Sequence, residues 1–149
     1  MESTKGVKLE KTLYVIRGIV GSGKSTYAKT ISPNHFEADM FWELLDGTYR
    51  FDMDKLSYAH KWCQAKVSEA MFRNEKKIVV SNTFTTLSEI EPYIQMAKQF
   101  EYKVKIINMR TQYKSVHNVP EDVLNKMKKR WQEIPEEWTI SFITVEDKK

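Results

Sequence analysis

A single cysteine, Cys63, is all the chain contains, so it cannot close an internal disulfide or build a multi-cysteine zinc site. Long apolar runs are missing as well. The longest, such as 13–16 and 78–80, fall far short of the roughly 20 residues that a bilayer-crossing helix needs. The start, residues 1–6, is polar and lacks the apolar stretch of a secretory leader. These absences predict a cytoplasmic protein with no membrane partner. Neither an internal repeat nor a Pro/Gly/Ser-rich linker divides the 149 residues, a length that fits one domain. The expected organisation is therefore a single domain over 1–149, with 1–10 a flexible tail. Glycine is scarce, with 5 in all, and Gly18, Gly21 and Gly23 fall close together.

Neither charge sign dominates. The 24 Lys and Arg against 20 Asp and Glu give a formal net charge of +4, by itself weak evidence for a polyanionic partner. Placement says more: Lys5, Lys8, Lys11, Arg17, Lys24 and Lys29 outnumber acids in 1–30, then Glu37, Asp39, Glu43, Asp46, Asp52 and Asp54 crowd one stretch. Basic density returns with Lys98, Lys103, Lys105, Arg110 and Lys114, and again at Lys126, Lys128, Lys129 and Arg130. A site holding magnesium and a phosphorylated ligand could use both signs, and so could an ordinary solvated surface.

Runs rich in β-branched residues recur at 13–16, 78–80, 104–107 and 139–145, and read as strands. Between them the apolar spacing is helical. The chain reads as helix from Thr26 to Ile31, with no breaker before Pro33. From Asp54 the stripe is Leu56, Ala59, Cys63, Val67, Ala70 and Met71. A third comprises Leu87, Ile90, Ile94, Ala97 and Phe100, with Pro92 expected in or near the first turn. Val123, Leu124, Met127, Trp131 and Ile134 make a fourth. Strands alternating with helices predict an α/β fold, a parallel sheet flanked by helices on both faces.

One motif is strong. Gly18-Ile19-Val20-Gly21-Ser22-Gly23-Lys24-Ser25 matches G-x-x-x-x-G-K-[ST] and lies between a predicted strand and a predicted helix, the setting its chemistry requires. The glycines let the backbone wrap an oxyanion with amides turned inward. The following helix start, through Thr26, favours negative charge. Lys24 is placed to reach the β- and γ-phosphates of ATP or GTP, and the Ser25 hydroxyl to ligate Mg2+. These residues predict a P-loop NTPase. Classical P-loop ATPases add an apolar strand ending in Asp, which helps hold magnesium. The matching run here, Ile78-Val79-Val80, ends in Ser81-Asn82-Thr83, so that aspartate is missing. A small phosphotransferase also needs a carboxylate near the acceptor hydroxyl, and Asp39 is the candidate.

Beyond the loop, Glu37-Ala38-Asp39-Met40-Phe41, Gly47-Thr48-Tyr49-Arg50-Phe51-Asp52, Ala59-His60, Ser81-Asn82-Thr83 and His117-Asn118-Val119-Pro120 carry a resemblance over about residues 12–131. The chain resembles the small P-loop kinase-like ATP-binding domains of phages and bacteria, and of mammalian ubiquitin-ligase-binding proteins with a polynucleotide-kinase-like domain. That resemblance implies a nucleoside/polynucleotide-kinase-like fold, ATP and Mg2+ as cofactors, and a γ-phosphoryl transfer to a hydroxyl with a polynucleotide 5′-end as leading acceptor. It also implies that Asp39 is the base toward that hydroxyl and that 110–120 is a lid bringing a cation to the phosphates. Two positions depart from the pattern. Ser81 stands where relatives commonly carry Asp. Lys114-Ser115 stands where they commonly carry Arg-Asn, which keeps the charge but loses the planar fork. Arg110 could substitute.

Other residues have two readings. His60, on the stripe with Leu56 and Cys63, reads as a packed histidine. His117 could contact phosphate or brace a turn before Pro120. Lys126, Lys128, Lys129 and Arg130 could meet nucleic acid or simply complement a helix C-terminus. Trp42, Tyr49 and Phe51 could stack on a base or pack in the core. Alternatives to the polynucleotide kinase are a kinase for a nucleoside, nucleotide or small hydroxyl metabolite, and a nucleotide-binding regulatory module without transfer activity. The oligomeric state is left open.

Overall fold

The β-branched runs become the centre of an all-parallel sheet. A computed structural model describes residues 10–42, 53–111 and 120–149. In chain order the elements are β1 (Thr12–Arg17), α1 (Lys24–Ile31), β2 (His35–Phe36), a 3-10 turn (Met53–Lys55) leading into α2 (Leu56–Phe72), β3 (Lys77–Asn82), α3 (Leu87–Phe100), β4 (Lys103–Met109), α4 (Glu121–Arg130), a second 3-10 turn (Glu136–Trp138) and β5 (Ile143–Lys148). The five strands lie in the order β2-β3-β1-β4-β5, and every neighbouring pair is parallel. This is an α/β P-loop NTPase fold.

Side-chain alternation assigns the two faces. Leu13 and Val15 of β1, Ile78 and Val80 of β3, and Val104 and Ile106 of β4 pack in one cluster with Ala59, Cys63, Val67, Ala70 and Met71 of α2 and with Ile90, Tyr93, Ile94 and Ala97 of α3. The intervening residues Ile16, Val79, Ile107 and Met109 face the other way, against Ala28, Tyr27 and Ile31 of α1. Strands buried on both faces read as continuous apolar runs, which is why the sequence reveals these three so clearly.

Three expectations shift in detail. Pro92 lies inside α3, beyond the first turn, where its missing amide costs a helical hydrogen bond. The helix itself starts at Leu87, where the stripe starts, and Glu89 reaches back to accept from the Thr86 amide (3.3 Å), a capping interaction at its first turn. The fourth stripe does not continue to Trp131 and Ile134: α4 ends at Arg130 and the chain runs on extended. The last strand is Ile143–Lys148 rather than 139–145, because the Ile140 carbonyl accepts from the Ile143 amide in a turn (2.9 Å). As an edge strand, β5 tolerates its charged tail of Glu146, Asp147 and Lys148. Trp42 is 1% exposed and belongs to the core, which settles its packing. Among the described residues no helix is long and apolar enough to cross a membrane.

Candidate functional site

The carboxyl ends of β1, β3 and β4 converge on one edge of the sheet, where ligands bind in open α/β folds. The loop from Gly18 leaves β1 at that edge. A Cβ at Gly18 would lie within 3.0 Å of Ser22 Oγ and Cβ and of Met109 Cβ, so the turn admits only glycine. Gly23 has φ 83° immediately before α1, a left-handed conformation that side chains rarely adopt. The first helical bond runs from the Tyr27 amide to the Gly23 carbonyl (3.0 Å). The amides before it have no intrahelical acceptor and form an anion-seeking helix start. Lys24 heads this helix. Burial lowers its pKa, and the charges of Glu37 and Asp39 work against that fall. The same interactions place Asp39, in the turn after β2, within electrostatic reach of Lys24.

Glu37, which sequence reasoning placed in the acidic stretch and in the family motif with no role of its own, lies at this edge directly after β2. Ser25 Oγ donates to Glu37 Oε2, as does Ser81 Oγ at 2.7 Å. His35 Nε2 lies 3.2 Å from the same oxygen and 2.6 Å from Ser81 Oγ. Register explains the meeting. His35 pairs with Val79, and Phe36 with Val80. Two-residue alternation carries His35 and Glu37 to the face of α1, together with Ser81, while Phe36 and Ala38 pack in the opposite cluster. The Ala38 amide donates to Asn82 Oδ1 (2.9 Å), fixing the exit of β2 against the end of β3. Burial alone would raise the Glu37 pKa. The hydrogen bonds from His35, Ser25 and Ser81 outweigh it and hold the carboxyl at about 2. The sequence signals for this were the motif Glu37-Ala38-Asp39-Met40-Phe41 and its short interval after α1, neither of which says where the Glu37 carboxylate points.

Magnesium would fit here. Hard oxygen donors, the Ser25 hydroxyl and the Glu37 carboxylate, sit beside the helix start. Among the described residues no group of three or more His, Cys, Asp and Glu forms a cage. That pattern suits a cation that shares its ligands with substrate phosphates.

The other half of the edge is built around Arg17, at the end of β1 and fully buried. Its Nε and Nη2 donate to the Phe84 carbonyl (3.0 and 2.8 Å), Nη2 to the Gln132 carbonyl (2.7 Å) and Nη1 to Asn108 Oδ1 (3.0 Å). Its guanidinium lies 3.7 Å from the Trp131 ring centroid. Asn108 Nδ2 passes the chain on to Asp147 (2.9 Å). Arg110, expected to serve the phosphates, is held in this network. It binds Glu133 through both carboxylate oxygens (3.1 and 2.7 Å) and Asp147 at 3.2 Å. Burial is not what governs its pKa, which these contacts raise, the Glu133 hydrogen bond most of all. Arg110, Met109, Trp131 and Lys128 nevertheless line a cleft of about 230 Å³ with Ile19 of the glycine loop. The exposed Lys126, Lys128, Lys129 and Arg130 occupy α4. Lys114 and His117, with Tyr49 and Phe51, lie outside the described residues.

Comparison with known proteins bears on the family and the fold. A family model described as an AAA domain matches residues 13–134. Human NEDD4-binding protein 2 is 28% identical over 135 residues, 80% of this chain and 8% of that protein. Mouse 2′,3′-cyclic-nucleotide 3′-phosphodiesterase is 26% identical over 109 residues, 70% of this chain and 25% of that protein. The chain thus spans a small part of either relative. Among solved structures, a chain of the Pnkp1/Rnl/Hen1 RNA repair complex superposes with TM-score 0.56 at 19% identity, covering 89% of this chain and 43% of that one. A candidate kinase from Chloroflexus aurantiacus gives TM-score 0.56 at 14% identity, over 70% of this chain and 61% of that one. At such identities the likeness is one of fold.

Proposed function

This chain belongs to the AAA domain family, and from that premise we propose that it is an ATP-dependent phosphotransferase moving the γ-phosphoryl group to a hydroxyl, with a polynucleotide 5′-OH the leading acceptor. The observation that carries the reading is the glycine loop leading from β1 into Lys24 at the head of α1, with Asp39, in the turn after β2, as the candidate base. A phosphate cradle alone binds nucleotide. A second carboxylate on the acceptor side supplies the base that transfer requires. The likeness to a chain of an RNA repair complex supports a nucleic-acid acceptor.

In this reading the loop amides and Lys24 hold the β- and γ-phosphates. Asp39 accepts the proton of the acceptor hydroxyl as the oxygen attacks phosphorus in line with the departing ADP oxygen. Magnesium bound at Ser25 would neutralise charge on the bridging phosphates. Arg110 borders the cleft with Ile19, and Lys114 is, from the sequence, the second candidate cation toward the phosphates. The competing reading, a nucleotide-binding regulatory module, is favoured by Ser81, since β3 ends without a carboxylate.

Labelled ATP, magnesium and a panel of acceptors (5′-hydroxyl oligonucleotides, nucleosides, small alcohols) test the proposal directly. Transfer to the oligonucleotide is expected, with Asp39→Asn losing about 10² to 10⁴ in rate and keeping nucleotide affinity. Binding without transfer to any acceptor would favour the regulatory module.

A further inference from the structure

We propose that Glu37, directly after β2, supplies the magnesium-shell carboxylate that P-loop enzymes ordinarily carry on the strand beside the loop. The inference rests on the nucleotide-binding part of the reading above. In P-loop NTPases the cation is held by the loop Ser/Thr and by an aspartate of the neighbouring strand. Here β3 is that neighbour of β1, and its residues Lys77–Asn82 include no carboxylate. The place an aspartate would take is held by Ser81, and Ser81 Oγ donates to Glu37 Oε2 at 2.7 Å. The carboxylate has changed strands while keeping its position over the loop serine.

Three details argue that this is more than a buried ion. First, Ser25 Oγ donates its proton to Glu37. A hydroxyl that ligates a cation offers a lone pair and must place its proton on an acceptor, and this contact aims it correctly. Second, every contact to the carboxylate from Ser25, Ser81 and His35 falls on Oε2. Among the described residues none reaches Oε1, which leaves one oxygen for the cation or its bound water. Third, the surrounding pairs fix the carboxylate as second-shell partners fix metal ligands. Ser81 donates to Glu37, so its lone pair receives His35 Nε2–H at 2.6 Å, which assigns the histidine tautomer. An aspartate at 81 would set a second carboxylate against Glu37, and like charges at that distance repel. Ser81 and Glu37 therefore belong together, and an aspartate at 81 belongs with a small neutral residue at 37.

Calorimetry with a non-hydrolysable ATP analogue, with and without magnesium, provides the test without relying on turnover. Wild type should bind more tightly when magnesium is present. Glu37→Gln should lose about 10- to 100-fold of that magnesium-dependent gain, while affinity for the metal-free analogue is unchanged or improved. Glu37→Ser/Ser81→Asp, which returns the carboxylate to β3, should recover most of the gain. Ser81→Asp alone should melt at lower temperature than the double variant. The same ordering should appear in Mn2+ titrations of the analogue complex followed by electron paramagnetic resonance. If Glu37→Gln keeps the full magnesium gain, or lowers metal-free and metal-bound affinity equally, Glu37 is merely structural and the inference is wrong. If Glu37→Gln does not fold, failure of the double variant to show a magnesium gain overturns it. No analogue binding by wild type under either condition would overturn the nucleotide reading along with it.

Discussion

Replacing Arg17 by methionine removes the one side chain that joins the end of β1 to three separate segments. Methionine keeps the apolar stem out to about the position of Nε and leaves the Phe84 and Gln132 carbonyls and Asn108 Oδ1 without the donor they now share. Each buried acceptor left unpaired costs about 1–3 kcal/mol, and the lost stacking over Trp131 adds up to about 2 kcal/mol. Against this stands the cost of burying the guanidinium. Burial, countered by Glu133, brings its pKa from 12.5 down to about 10, equivalent to about 3 kcal/mol that the variant recovers. The terms leave a net loss centred near about 4 kcal/mol, inside the roughly 3–5 kcal/mol seen when one partner of a buried charged cluster is removed. Phe84 adds to the strain, since it holds φ 48° with its carbonyl in the arginine's grip. Urea unfolding followed by tryptophan fluorescence measures the loss. Hydrogen exchange at Gln132, whose amide donates to the Thr85 carbonyl (2.8 Å), reports locally and should speed up. Arg17→Lys keeps the charge without the fork and should recover less than half. A loss under about 1 kcal/mol for Arg17→Met, with an unchanged denaturant slope, would refute the reasoning.

Other consequences are simpler to check. Lys24→Ala should weaken nucleotide binding by at least about 1.5–3 kcal/mol, the scale of a charge-assisted hydrogen bond; equal affinity by calorimetry would remove Lys24 from the cradle. Cys63 is 0% exposed and burial raises its thiol pKa. A thiol reagent should therefore label the folded protein only at the rate of its opening, and labelling as fast as a free thiol would contradict the packing of α2. Hydrogen bonds from Arg110 to Glu133 and from Asn108 to Asp147 hold both carboxyls below their ordinary values. Their contribution to stability is present above the ordinary carboxylate pKa and disappears as pH falls through the lowered ones. Arg110→Ala should flatten this acid limb in melting temperature plotted against pH.

What could be read from the sequence divides along a physical line. The glycine loop was legible because its chemistry constrains consecutive residues, and the strands around Val15, Val79 and Ile106 because burial on both faces makes them uniformly apolar. Asp39 was named as a candidate base because it follows the first helix at a short interval and falls in the family motif, and that role is the proposal above. Residues whose roles depend on register were not legible. Strand β2 is two residues long, too short to show a period, yet its pairing with β3 aims Glu37 at Ser25. Arg17 looked like one more surface charge. Only the alignment of Arg17 with Asn108, and of Asn108 with Asp147, shows that a polar row crosses the sheet. Trp131 was assigned to a helical stripe because its spacing from Leu124 and Met127 is helical. Tertiary packing overrode the period: the chain leaves α4 one residue earlier and lays the indole on Arg17.

That polar row also bears on how the site is assembled. Each parallel strand ends at the same edge, so any polar side chain in its last position is removed from solvent by its neighbours and must find partners across the sheet. On the outer side of β1 the solution is a cation, Arg17, satisfied by carbonyls and Asn108. On the side toward β2 it is an anion, Glu37, satisfied by hydroxyls and His35. The glycine loop springs from β1 directly after Arg17. Its foot is clamped at Arg17 and its serine is held at Glu37, so the backbone amides in between are placed before any phosphate arrives. Preorganised donors are worth more than donors that must be gathered on binding, because their ordering cost is met during folding. Arg17→Met should consequently reduce nucleotide affinity as well as stability, although Arg17 lies on the far side of β1 from α1.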